Sequence, residues 1–153
     1  MNPPSDAVRW LFDVDGTLID GVTGRSLRPG ARELLMALRD RGVAVLLWSS
    51  GGAEYAWRRA EDTGIGDLVS AAFDKVRDDP TQPWDLPAEL VDGPPAVLVD
   101  DMPEDVPQVG EVVSVRRYLG PNPHDTGLQP LLRRIQGVGN SQASVAGRGE
   151  PVG

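Results

Sequence analysis

The sequence contains no cysteine, one histidine (His124) and one lysine (Lys75) among 153 residues. Without thiols, disulfides, thiolate zinc sites, iron–sulfur clusters and cysteine nucleophiles are excluded, and a single imidazole excludes a multi-histidine metal centre. Aromatic residues supply only 5% of the chain. No apolar run approaches the roughly 20 residues needed to cross a bilayer. The opening MNPPSDAVRW lacks a basic segment followed by a long apolar one, so a cytoplasmic protein with no membrane partner is expected. Acidic residues outnumber basic ones 23 to 15, a formal net charge of −8. That balance argues against a surface that coats nucleic acid, because such binding depends on Lys and Arg meeting phosphates. Nucleic acid stays open only as a substrate. With 18 Gly and 14 Pro the chain is loop-rich but below the share at which disorder becomes the default.

What is present is enough apolar sequence, 40% of residues, for one domain with a real core. The run Val8 to Val14 is rich in strand formers and is broken by Gly16, so a first strand is expected to end near Asp13. Residues 19–28 carry two glycines and alternating small residues, which reads as a flap or hairpin. Leu34, Leu35 and Leu38 fall at helical spacing between Pro29, which opens the helix, and Gly42, which closes it. Val43 to Trp48 is a second buried strand, Ala53 to Thr63 a second helix and Leu68 to Phe73 a short third strand. Residues 78–95 hold five prolines and are expected on the surface, with one helical turn at Ala88 to Val91. Ala96 to Val99 and Val112 to Val115 supply further strands. A closing helix follows over Leu128 to Ile135, with Asp125 or Thr126 as its cap.

Strands alternating with helices imply an α/β fold: an open, mostly parallel, Rossmann-like sheet with helices on both faces. A single domain is expected over 1–137. Residues 138–153 hold no aromatic and few large apolar groups and are expected to be disordered or not part of the domain.

In such sheets ligands bind beyond the carboxyl ends of the strands. That edge would receive Asp13 and Asp15 from the first strand, Ser49 and Ser50 from the second, and Asp100 and Asp101 from the Ala96 strand. A carboxylate can attack phosphorus while a second carboxyl protonates the leaving group and later activates water. So many acids at one edge need a cation. Magnesium suits an oxygen-only donor set and neutralises phosphate charge. Lys75 is the one lysine beside 14 arginines, and it stands in a loop between two acidic strand ends, where a compact ammonium has a use.

Together these residues resemble the haloacid dehalogenase-like (HAD) superfamily in its phosphatase form. Asp13–Val14–Asp15–Gly16–Thr17–Leu18 after an apolar strand is similar to the first motif, Ser49 to the second, Lys75 to the third and Val97 to Asp105 (VLVDDMPED) to the fourth, in family order. The resemblance implies a magnesium-dependent phosphatase with Asp13 as nucleophile and Asp15 as general acid/base. Ser49 would hydrogen-bond the transferring phosphoryl group, and Lys75 would pair with it and with Asp13. Asp101 would be the principal acidic metal ligand, helped by the Asp13 carboxylate and the Asp15 backbone carbonyl, with Asp100 accessory. Ser50 can stand in for Ser49 at the phosphate. In the Gly-Asp-x-x-x-Asp form of the fourth motif the acids are Asp101 and Asp105; in the Asp-Asp form the adjacent pair acts.

The gaps between the first three motifs hold only a flap and core helices, so the family's cap domain is expected to be missing. The resemblance implies that such an open site serves macromolecular phosphoesters (polynucleotide or protein) or a small phosphoester, or borrows a neighbouring copy of the chain as a lid. Two other functions remain open: a non-catalytic HAD-fold protein that binds a phosphorylated partner, and a phosphotransferase. His124 is read as solvated, Trp10 and Trp48 as core, and Trp57 and Trp84 are left open. The pairs Arg58–Arg59, Arg116–Arg117 and Arg133–Arg134 are read as solvated surface.

Overall fold

The computed structural model describes residues 8–108 and 110–137. Five strands carry the chain: β1 (Arg9–Asp13), β2 (Ala44–Ser49), β3 (Ala71–Asp74), β4 (Ala96–Asp100) and β5 (Glu111–Ser114). They pair in the order β3-β2-β1-β4-β5, all parallel. The expected Rossmann-like sheet is therefore present. The chain runs outward from β1 to β3, then crosses back to lay β4 on the other side of β1. That reversal leaves a crevice at the carboxyl ends of β1 and β4, where open α/β sheets bind ligands.

The strands are continuous apolar runs because both sheet faces are covered. Trp10, Phe12, Val45, Leu47, Val97 and Val99 point to one face, where they meet α1 (Ala31–Asp40), α2 (Ala53–Asp62) and α4, a helical run over 129–137. Leu11, Leu46, Trp48, Ala96 and Leu98 point to the other, covered by the one-turn α3 (Ala88–Val91) and by Trp84, Leu86 and Val106 from the connecting loops. The helices thus flank both faces, with three on one and a single turn on the other.

Differences from the expected elements are local. The first helix begins at Ala31 rather than Pro29, since Gly30 at φ 88° stands at its N-cap in a conformation that only glycine takes cheaply. The third strand begins at Ala71 because Gly66–Leu68 folds into a 3-10 turn instead. Asp125 does not serve chiefly as a cap for α4. Its carboxylate takes the fully buried Arg28 guanidinium, with Nε 2.6 Å from Oδ2, and accepts the Gly127 N–H at 3.0 Å. Trp10 and Trp48 are fully buried, whereas Trp57 and Trp84 are half-buried against the two cores. Residues 138–153 lie outside the described part. No helix among the described residues is long and apolar enough to cross a membrane.

Candidate active site

The site begins with the turn after β1. Val14 O accepts the N–H groups of Thr17, Leu18 and Ile19, and the Gly16 N–H donates to Ile19 O at 2.7 Å. This sharp turn holds Gly16 at φ +85°, and a Cβ there would stand 2.7 Å from Asp101 Oδ2. Glycine is thus required twice, by the backbone and by the approach of Asp101. The chain then forms the expected flap, with bridges Asp15↔Ile19 and Ile19↔Leu27. Asp20 ties the flap by accepting the N–H groups of Val22, Thr23, Arg25 and Ser26 and the Thr23 hydroxyl. Burial would raise the Asp20 pKa, but these donors outweigh it and hold it down at about 2.

Four strand ends converge on one cleft of about 310 Å³, lined by Asp13, Asp15, Ser49, Ser50, Lys75, Asp100, Asp101 and Asp105. Every acid, hydroxyl and lysine singled out from the sequence lies there. A larger hollow of about 750 Å³ runs along β5 and α4, but no carboxylate lines it, so chemistry rather than size selects the smaller cleft.

Lys75 follows β3 directly, and its N–H donates to Ser49 O at 2.9 Å. Its ammonium lies 2.7 Å from Asp13 Oδ1 and 3.0 Å from Asp100 Oδ2, with its side chain 7% exposed. The rings of Trp48 and Trp84 flank the same ammonium, with centroids at 5.1 and 5.5 Å, which desolvates it and strengthens its hold on the carboxylates. Burial pulls the Lys75 pKa down, but Asp13 and Asp100 more than offset it, so the lysine stays charged. Burial pushes the Asp13 carboxyl well above the ordinary range despite Lys75. Asp100 is raised for the same reason and also accepts the Met102 N–H at 2.8 Å.

Asp101 completes the group. Its burial is outweighed by hydrogen bonding with Asp13 and by Arg117, whose Nε stands 2.8 Å from Oδ2, so its pKa is lowered. The Thr17 hydroxyl sits between Asp13 Oδ2 at 3.0 Å and Asp101 Oδ1 at 3.2 Å. Asp13, Asp100 and Asp101 each present a carboxylate oxygen within 4.8 Å of the others, a spacing that could hold a metal ion. The donor set fits a hard cation: all oxygen, partly buried, and with three carboxylates facing, among the described residues, only Lys75 and Arg117 as cations.

The Asp15 carboxylate is not in that group. It faces the cleft and is held by the Tyr55 hydroxyl at 2.9 and 3.1 Å, with its pKa raised by burial. Ser49 is buried, and its Oγ accepts the Gly51 N–H at 3.0 Å, which leaves its own proton for a ligand. Ser50 is exposed at the cleft wall, and Asp105 faces Arg77 at 3.8 Å. His124 is exposed.

Sequence reasoning did not find three partners of these residues. Tyr55 and Arg59 stand one helical turn apart on α2, behind Asp15, and Arg117 stands behind Asp101. The spacing of Tyr55 and Arg59 on one helix face was visible, but nothing in the text says that α2 lays that face against the turn after β1. Between β1 and β3 the described chain contributes, besides β2, only the flap, α1, α2 and a 3-10 turn, and no further domain covers the cleft among the described residues. No protein-family model matches the chain, and no curated protein matches it.

Proposed function

We propose that the protein is a magnesium-dependent phosphohydrolase of the haloacid dehalogenase-like kind, working through an aspartyl-phosphate on Asp13. The observation that carries this reading is the meeting of Asp13 with Lys75 and Asp100 from two other strand ends, beside a second acid that is separately held. A carboxylate so placed has a neutralising ammonium at one oxygen and its other oxygen turned toward Thr17 and Asp101.

The residues divide the work as follows. An Asp13 oxygen attacks phosphorus, the bond from phosphorus to the leaving oxygen breaks, and that oxygen takes the electron pair together with a proton from Asp15. Ser49 and Lys75 donate to the phosphoryl oxygens as charge shifts onto them. In the second half Asp15, now a carboxylate, takes a proton from water. The water oxygen attacks phosphorus, and Asp13 is released with inorganic phosphate. Magnesium held by Asp13, Asp101 and the Asp15 carbonyl, with Asp100 nearby, would supply charge neutralisation of the phosphate. An open cleft lets water reach the phosphoryl group, which favours hydrolysis over transfer to an alcohol.

Hydrolysis of an aryl phosphate with and without magnesium, by the native chain and by Asp13→Asn, tests the proposal. Magnesium-stimulated release of phosphate by the native chain, lost at least about a thousandfold in a folded Asp13→Asn, supports it. A folded native chain with no turnover on aryl or alkyl phosphates at any magnesium concentration contradicts it and favours a protein that only binds phosphorylated partners.

A further inference from the structure

Arg59, Tyr55 and Asp15 form a line from the flap to the cleft. The Tyr55 hydroxyl is within hydrogen-bond reach of both Asp15 oxygens, at 2.9 and 3.1 Å. The Arg59 guanidinium lies over the Tyr55 ring, 5.0 Å from its centroid. Beyond it the flap closes down: a Cβ on Gly24 would stand 3.3 Å from the Arg59 guanidinium carbon. The Arg59 Nε is buried between these two without a hydrogen-bond partner. An arginine normally finds an acceptor for such a donor, so its placement against ring and flap is bought at a cost that surface solvation would have avoided.

The two helix residues are not part of the core: Tyr55 and Arg59 are both only half-buried. The Tyr55 hydroxyl is the donor and the Asp15 oxygens the acceptors in this contact.

We propose that Tyr55, braced by Arg59, is the positioning residue for the acid step: it fixes the rotation of the Asp15 carboxyl and donates to the carboxylate that forms when Asp15 gives its proton to the leaving oxygen. The inference rests on the phosphohydrolase reading and assigns within it which reaction step depends on α2. A hydrogen bond that gains strength as its acceptor becomes charged stabilises the transition state more than the ground state. The gain is largest where the leaving oxygen most needs a proton. An alkyl phosphate, whose leaving alkoxide is strongly basic, therefore depends on Tyr55. A para-nitrophenyl phosphate, whose phenolate leaves unprotonated, does not.

The test is kcat/KM of the full chain with magnesium for para-nitrophenyl, phenyl and a simple alkyl phosphate, in the native protein, Tyr55→Phe and Arg59→Met. This ratio reports steps through phosphoryl transfer to Asp13, so the later water attack does not blur it. Tyr55→Phe is expected to lose about ten- to a hundredfold on the alkyl ester and no more than about threefold on the nitrophenyl ester, with phenyl between. Arg59→Met should follow the same order with smaller losses, and it gives the same reading should Tyr55→Phe not fold. A purely structural role lowers all three substrates alike, and equal losses would overturn the proposal while leaving the phosphohydrolase reading intact. No turnover by the native chain on any of the three would instead overturn that reading, and the positioning role with it.

Discussion

Replacing Lys75 by methionine removes the one cation, among the described residues, in contact with two buried carboxylates. The Asp13 and Asp100 side chains are 10% and 3% exposed, and their oxygens lie 2.7 and 3.0 Å from the ammonium. Methionine keeps the stem that fills the space beside Trp48 and Trp84, so the loss is electrostatic rather than a cavity. Breaking a buried pair by deleting one partner costs about 3–5 kcal/mol, because the charge left behind has neither water nor counter-ion. For a domain of this size that is a fall of roughly 10 °C or more in Tm.

Burial already holds Asp13 and Asp100 above the ordinary carboxylate range, and without Lys75 they rise further. The folded state then binds more protons than the unfolded state, so the variant loses stability as pH rises from the unfolded value toward the folded one. Urea unfolding at several pH values, without divalent cation, is the assay. The deficit of Lys75→Met is expected to grow from pH 5 to pH 8, and magnesium should restore part of it. A deficit under about 1 kcal/mol at pH 8, or a gain, would refute the idea that these two carboxylates depend on the lysine.

Asp20 should give the opposite pH signature. Its pKa of about 2 lies below the unfolded carboxylate value near 3.8, so its contribution of about 2 kcal/mol is complete above about pH 5 and is mostly lost as pH falls to about 2. The stability difference between the native chain and Asp20→Asn, followed by urea unfolding against pH, should shrink over that window. Gly16→Ala meets both a positive φ and Asp101 Oδ2 at 2.7 Å. It is expected to cost about 1–3 kcal/mol in thermal unfolding and to weaken magnesium binding measured by calorimetry, because Asp101 must move.

The sheet was legible in the sequence because a parallel strand buried on both faces is written as an unbroken apolar run: Val45 to Trp48 and Val97 to Val99 are such runs. The polar residues that end those runs, Asp13, Ser49 and Asp100–Asp101, are placed by the same logic. Parallel strands bring all their carboxyl ends to one edge. Lys75 was found by its solitude among arginines, and the structure puts its ammonium between Asp13 and Asp100. What periodicity could not convey is which side chains lean across from another element. Arg59 and Arg117 were read as solvated halves of arginine pairs; Arg59 is instead half-buried over Tyr55 behind Asp15, while Arg117 is exposed as expected yet also holds Asp101. Their neighbours Arg58 and Arg116 are indeed exposed. Asp125 misled for a related reason: a residue that looks like a helix cap had a distant partner, Arg28, that a local pattern cannot reveal.

Trapping the acyl phosphate tests Asp13 as the nucleophile most directly. The native chain is mixed with substrate and magnesium, quenched during turnover, reduced with borohydride and digested, and the peptide that holds Asp13 is read by mass spectrometry. Reduction of an aspartyl-phosphate yields homoserine, so homoserine at position 13, dependent on both substrate and magnesium, is the expected result. Sustained phosphate release with aspartate unchanged at position 13, under conditions that reduce a control acyl phosphate, would contradict Asp13 as the nucleophile.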